Sequence, residues 1–330
     1  MFNKLKIAWV GCGAHASKNL LPELCKVNNI QLVAVCDLNE EKAKEASVRF
    51  GFSSYYVDYH FLLENENIDV VFVVGPPSLH ENVAFCCLSE GIHVFTEKPV
   101  TLDKKILIQL ENLAMVNNCK TQVGHFLRHS PAIKNAKTII DSENFGNPIS
   151  FYGSYLTGGP WEIRKEWNSM SLDETYMYVQ GIHLLDIAEY FMGPIKDIKY
   201  FKLKSRTNRL SFSISVLFKN SSVGNFLLSA SAPKWSCQLQ IISDKQHHLS
   251  INDAKEVILT KKESNNKLPH NSNNFQIYSS SNSYGIENRN GYALEIQSFI
   301  DSILNDEKTH PSFSDSISVM NLIDNIINNE

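Results

Sequence analysis

No stretch of the 330 residues approaches the ~20 apolar residues that a membrane-spanning helix requires. The longest apolar candidate, residues 70–74, stops at Gly75-Pro76-Pro77 and reads as a buried strand. A basic excess is also missing: 31 Lys and Arg stand against 35 Asp and Glu, a net charge of −4, so nucleic acid is not an expected partner. There is no CxxC pair among the seven cysteines, Cys86-Cys87 lacks metal-ligand spacing, and His247-His248 has no third ligand nearby. Neither a metal site nor a Cys–His nucleophile is expected, and the odd cysteine count reads as buried free thiols in a reducing cytoplasm. Lys4 and Lys6 precede an apolar stretch, but residues 7–10 end at Gly11, too short for the core of a signal peptide. A cytoplasmic chain with no membrane partner is the expectation.

What is present is ordinary globular composition, 43% hydrophobic and 20% charged, over a length that suggests two domains. Through residue 125, short Val- and Ile-rich runs (7–10, 32–36, 70–74, 93–95, 121–123) alternate with helical periodicity at 20–27, 40–50, 79–90 and 102–116. Unalternated apolar strands separated by helices predict an α/β domain, a doubly wound parallel sheet of the Rossmann kind, over 1–125. Beyond it the rhythm changes. Helices are predicted at 132–140 and 181–191, then alternating strands at 195–203, 210–218, 224–232 and 235–243. Residues 126–330 are therefore expected to form an α+β domain with a mostly antiparallel open sheet. The Asn- and Ser-rich stretch 261–290 reads as a polar surface insertion, and helices at 292–304 and 314–327 close the chain.

Gly11-Cys12-Gly13-Ala14-His15-Ala16 fits G-x-G-x-x-G/A, follows a predicted strand and opens a helix, while Asp37 ends the next strand. Gly11 permits the tight turn, Gly13 admits a pyrophosphate at the helix N-terminus, and small Ala16 allows helix–strand packing. Asp37 can accept hydrogen bonds from both ribose hydroxyls, roughly 1.5–3 kcal/mol each to a charged acceptor. The same carboxylate repels a 2′-phosphate, and Leu38 and Asn39 supply no cation for one, so NAD is favoured over NADP. The bland alternative is a bare turn with an Asp capping the next helix.

Ligands of an open parallel sheet bind beyond the carboxyl ends of its strands. There the sequence gathers Gly11–Ala16, Asp37, Gly75-Pro76-Pro77 with His80, Thr96-Glu97-Lys98-Pro99 and Gly124-His125. The expected cofactor-binding set is Gly11, Gly13, Ala14, His15, Ala16, Asp37, Pro76, Pro77, His80 and Glu97. Lys98, beside a backbone restrained by Pro99, is placed to exchange a proton with a substrate hydroxyl. By composition alone it reads first as a solvated lysine.

Phe95-Thr96-Glu97-Lys98-Pro99-Val100 after Gly75-Pro76-Pro77-Ser78-Leu79-His80 resembles the Gfo/Idh/MocA family of oxidoreductases. The similarity continues through Gly124-His125-Phe126-Leu127-Arg128, Gly181-Ile182-His183-Leu184-Leu185-Asp186 and Glu295-Ile296-Gln297-Ser298-Phe299, and is weakest over 204–290. It implies an NAD(P)-linked oxidation or reduction at a carbon of a sugar, cyclitol or nucleotide-sugar. It also implies a catalytic pair of Lys98 and His183, and a homo-oligomer, dimer or tetramer, often built on the open sheet. One position departs: the family usually carries Asp four residues before the histidine, where Val179 stands here, after Asp173-Glu174-Thr175 rather than glycines. Without the resemblance, His183 on an apolar face reads as a core histidine.

Candidate substrate contacts are Arg128, Trp161, Arg164, Tyr178 and Asp186, set against surface or core roles for the same residues. Aromatic and Arg side chains suit sugar faces and phosphate. Two rival functions share the cofactor: a glycosidase-type redox elimination that returns its hydride, and a non-catalytic dinucleotide-binding sensor or assembly protein, which the loss of the acid at Val179 keeps open.

Overall fold

The computed structural model describes residues 4–158, 170–204, 209–261, 275–279 and 291–328. Trp161, Arg164 and most of the polar stretch 261–290 lie outside the described residues. The chain separates into two compact units, Met1–His125 with Tyr292–Met320, and Phe126–Gly291 with Asn321–Glu330.

The first unit begins with β1 (Leu5–Val10), a π-helical turn (Ala16–Leu20) running into α1 (Leu21–Leu24), and β2 (Ile30–Cys36). The wide turn precedes Pro22, which has no N–H to close a regular turn, and Leu21 N–H reaches five residues back to Ala16. α2 (Glu40–Phe50) is capped by Asn39, whose side chain accepts Lys42 N–H, and stops at Gly51 in the left-handed region, φ +82°. Then follow β3 (Ser54–Tyr56), α3 (Tyr59–Asn65), β4 (Val70–Val73), α4 (Pro77–Ser89), β5 (His93–Glu97), α5 (Lys104–Val116) and β6 (Thr121–Gly124). The strands pair in parallel in the order β3-β2-β1-β4-β5-β6, the doubly wound arrangement predicted. β3 and α3 have no strong period in the sequence and were not among the predicted elements.

The second unit starts at α6 (Pro131–Ile140) and β7 (Pro148–Leu156). A continuous helical run follows: α7 (Leu172–Tyr176), opened by a Ser171–Glu174 capping box, a π-helical turn (Met177–Gly181), and α8 (Ile182–Met192). β8 (Ile195–Lys204), β9 (Leu210–Phe218), β10 (Val223–Ser229), β11 (Ser236–Ser243), β12 (His248–Asn252), β13 (Glu256–Thr260) and β14 (Phe275–Ser279) complete a sheet ordered β14-β13-β12-β11-β7-β10-β9-β8. All its pairs are antiparallel except β10 with β7. β14 falls inside the stretch read as a polar insertion: five residues pair with β13 there. β7 interrupts its own alternation at Gly153, where a Cβ would lie 2.7 Å from Leu184 Cδ1, so glycine lets α8 press against the sheet.

The closing helices are α9 (Tyr292–Leu304) and α10 (Phe313–Asn328). Ile296, Phe299 and Ile300 of α9 are buried in the first unit's core with Trp9, Phe72 and Phe95. The Phe299 ring stands edge-on to Phe72 at 5.9 Å, and Trp9 stacks on Phe72 at 5.6 Å. The expectation of two consecutive stretches, 1–125 and 126–330, does not include this return, which those apolar positions drive. Among the described residues no helix is long and apolar enough to cross a membrane.

Candidate active site

At the carboxyl edge of the first unit's sheet, Gly11 has φ +96°, and a Cβ on it would lie 2.0 Å from the Val74 carbonyl. No other residue type fits there. A Cβ on Gly13 would meet nothing within 4 Å, so open space faces the backbone where a pyrophosphate approaches. Ala14 and His15 are exposed beyond it, and Ala16 is buried. Asp37 is fixed by two backbone amides: Oδ2 accepts Cys12 N–H at 2.7 Å and Oδ1 accepts Asn39 N–H at 2.9 Å. Each carboxylate oxygen keeps a lone pair for a hydroxyl donor. With Leu38 exposed and no cation at 38 or 39, the turn and its acid fit an adenine dinucleotide without a 2′-phosphate.

Pro76 precedes α4 and buried Pro77 begins it. His80, one turn along, is turned inward. Its Nε2 accepts Gly75 N–H at 3.0 Å and its Nδ1–H donates to the Pro99 carbonyl at 2.8 Å. That pair of partners requires the neutral ring, and burial pushes its pKa down from 6.5 to about 4. His80 therefore ties the turn after β4 to the turn carrying Lys98, a role that spacing alone did not reveal.

Glu97, only 5% exposed, ends β5. Oε1 faces His15 Nε2 at 3.3 Å, and Oε2 accepts the Lys98 backbone N–H at 3.2 Å. Its carboxyl group fits because the neighbouring position is Gly124, where a Cβ would come within 2.8 Å of it. Burial opposes its charge, yet the hydrogen bond from His15, with the Lys98 ammonium nearby, holds it below the usual carboxylate range. Lys98 itself is half-buried and joined to Pro99 by a cis peptide.

In the second unit His183, 5% exposed, projects from α8 immediately after the π-helical turn that holds Val179. Its ring stacks on Tyr155 at 5.5 Å and meets the edge of Phe126 at 5.3 Å. Tyr155 in turn meets Trp235 edge-on at 6.0 Å, while burial pushes its phenol up. Phe126 and Tyr155 thus flank His183, with Trp235 against Tyr155. Sequence reasoning missed Tyr155, because β7 was not among the predicted strands, and Trp235, because the strand predicted at 235–243 gave no sign of what it packs on.

The other expected substrate contacts have partners inside the unit. Arg128 forks onto Asp186, Nε to Oδ2 at 2.9 Å and Nη2 to Oδ1 at 2.7 Å, and its guanidinium lies over the Tyr190 ring at 5.2 Å. Tyr178 donates its hydroxyl proton to Asp324 at 2.8 Å. All seven cysteines are free thiols. Among the described residues no three His, Cys, Asp or Glu side chains group to hold a metal.

Comparison with known proteins agrees with both halves. Residues 5–125 match the family model described as "Oxidoreductase family, NAD-binding Rossmann fold", and residues 133–247 match the GFO/IDH/MocA C-terminal domain. Oxidoreductase P35 of Formosa agariphila is 28% identical over 224 residues, 65% of this chain and 70% of that protein. The scyllo-inositol 2-dehydrogenase (NAD(+)) of Bacillus subtilis is 29% identical over 198 residues, 58% of this chain and 55% of that enzyme's length. A structure of levoglucosan dehydrogenase in complex with NADH and L-sorbose superposes with a TM-score of 0.85 at 18% identity, covering 99% of this chain and 96% of that one. That likeness speaks to the fold. The two family models together span most of the chain, and the chain belongs to the Gfo/Idh/MocA family of oxidoreductases.

Proposed function

We propose that this chain is an NAD(H)-dependent dehydrogenase or reductase acting at a hydroxyl or keto carbon of a sugar, cyclitol or nucleotide-sugar. The observation that carries the reading is the arrangement at one sheet edge. The open face of Gly13, the fixed carboxylate of Asp37 and the braced turn of Lys98 all lie beyond the strand ends. The names of relatives support the substrate class: one is a scyllo-inositol dehydrogenase, and another was solved with L-sorbose.

Gly11, Gly13 and Ala16 hold the pyrophosphate at the helix N-terminus, and Asp37 holds the ribose hydroxyls. Bound NAD supplies the hydride acceptor, or NADH the donor. Lys98 takes a proton from the substrate hydroxyl or returns it to the carbonyl. His183, held by Tyr155 and Phe126, orients the substrate oxygen, and the aromatic side chains around it suit the apolar face of a sugar ring. No acid at position 179 takes part. Arg128 and Asp186, the latter on the same helix as His183, hold one another in place.

The assembly reading rests on the sheet of the second unit. Tyr152, Phe201, Val223, Leu227 and Ile242 are exposed on one face of β7, β8, β10 and β11. A second copy of the chain covering that face is the homo-oligomer we propose. Seven free thiols support a cytoplasmic location.

Absorbance at 340 nm tests the function, with NAD and a panel of sugars, cyclitols, sugar phosphates and nucleotide-sugars. The expected result is NADH formation with one class. Substrate consumption without NADH would favour the hydride-returning elimination instead.

A further inference from the structure

The glycine turn and the Lys98 turn meet at one side chain. His15 stands two residues beyond Gly13, on the segment that receives the dinucleotide in the reading above. Its ring is held at both nitrogens. Glu97 is an ionised, acceptor-only carboxylate, so the His15 Nε2 facing its Oε1 at 3.3 Å must donate. Nδ1 is then the acceptor, and the Asn19 amide, one helical turn on, donates to it at 3.0 Å. Tyr292 closes the ring's edge at 5.8 Å. The other oxygen of Glu97 accepts the Lys98 N–H. We propose that His15 is a positioning residue for Lys98, acting through Glu97, so that filling the glycine turn with dinucleotide fixes the backbone from which the proton carrier projects.

The arrangement is lopsided in a way that suits a relay. Glu97 is nearly inaccessible, whereas the His15 side chain is 45% exposed toward solvent. The imidazole therefore joins the glycine turn to the buried carboxylate. The groups facing Glu97 are His15 from the turn, Lys98 beside it and His80 from α4, with Gly124 leaving the room. His80 holds Lys98 from the far side, through Pro99, and is itself buried. His15 is the member of the group that can report whether the turn is occupied.

This inference rests on the NAD reading, and the test separates the two. Amide hydrogen exchange resolved to single residues is measured with and without NAD for wild type, His15→Leu and His15→Gln. In wild type, NAD slows exchange across 12–17 and at the Lys98 amide. In His15→Leu, NAD still slows 12–17, but the Lys98 amide exchanges about tenfold faster and no longer responds, the scale of one hydrogen bond to a charged group. Glutamine, whose amide can donate to Glu97, restores most of the protection. In turnover, His15→Leu lowers kcat with little change in KM for NAD. It also moves the acid limb of the pH profile upward, because Glu97 without its donor protonates at higher pH. A Lys98 amide that responds to NAD equally in wild type and His15→Leu overturns the positioning role alone. No NAD effect on either segment of wild type overturns the cofactor reading, and this proposal with it.

Discussion

The His80 ring donates a 2.8 Å hydrogen bond from Nδ1 to the carbonyl of Pro99, the residue next to Lys98. Residues 19 apart in sequence, on separate βα turns, are thereby held in register by a buried neutral imidazole. The predictions begin from this brace.

Its folded pKa, about 4, lies below the ordinary value of 6.5. As pH falls below 6.5 the unfolded chain takes up a proton that the folded chain refuses. The brace's contribution is complete above about 6.5, is lost progressively as pH falls, and is gone once pH has passed about 4. At about 1.4 kcal/mol per pH unit the loss is on the order of 3 kcal/mol. Urea unfolding across that range is expected to show it in wild type and not in His80→Gln. The glutamine variant is also expected to lower kcat, since the Pro99 contact is lost.

Arg128 and Asp186 form a buried forked ion pair, side chains 11% and 2% exposed. Arg128→Met leaves a buried carboxylate without its partner and is expected to cost about 3–5 kcal/mol. Arg128→Met with Asp186→Leu removes both charges and is expected to recover much of that. A direct substrate role predicts instead that stability is unchanged while KM rises. Denaturant midpoints beside KM values distinguish them.

Tyr155 stacks on His183 and meets Trp235 edge-on. Tyr155→Phe keeps both ring contacts and is expected to change stability by no more than about 1 kcal/mol, with kcat within a few-fold of wild type. Tyr155→Ala removes the ring that backs the imidazole. It is expected to cost about 3–5 kcal/mol and to lower kcat further than stability alone explains. Thermal unfolding and steady-state kinetics on the two variants check this.

The exposed apolar sheet face predicts self-association. Leu227→Glu and Tyr152→Glu place charges on neighbouring strands of that face and are expected to give monomers by light scattering. A wild type already monomeric at micromolar concentration would contradict the assembly reading.

The glycine turn, Asp37 and Lys98 were legible because each lies within a few residues of a strand end, and parallel strands without alternation mark themselves. The second unit was less so. Its register joins Ser150 to Val223 and Ile242, pairings that no local pattern encodes, and β7 hides behind Gly153. The partners of His80, Arg128 and Tyr178 are 19, 58 and 146 residues away, so their side chains read as ligand contacts until the fold shows what they hold. The return of α9 to the first unit is a similar long-range fact: its apolar face is visible in sequence, but not which sheet it covers.

The central claim is that Lys98 carries the proton in an NAD-linked reaction. The most direct measurement pairs kcat with the NADH dissociation constant for wild type and Lys98→Met, using the substrate class found at 340 nm. NADH affinity is expected to stay within a few-fold and kcat to fall by about 10²–10⁴, the range for a lost general acid–base. A kcat that survives the substitution, with NADH still bound, would contradict it.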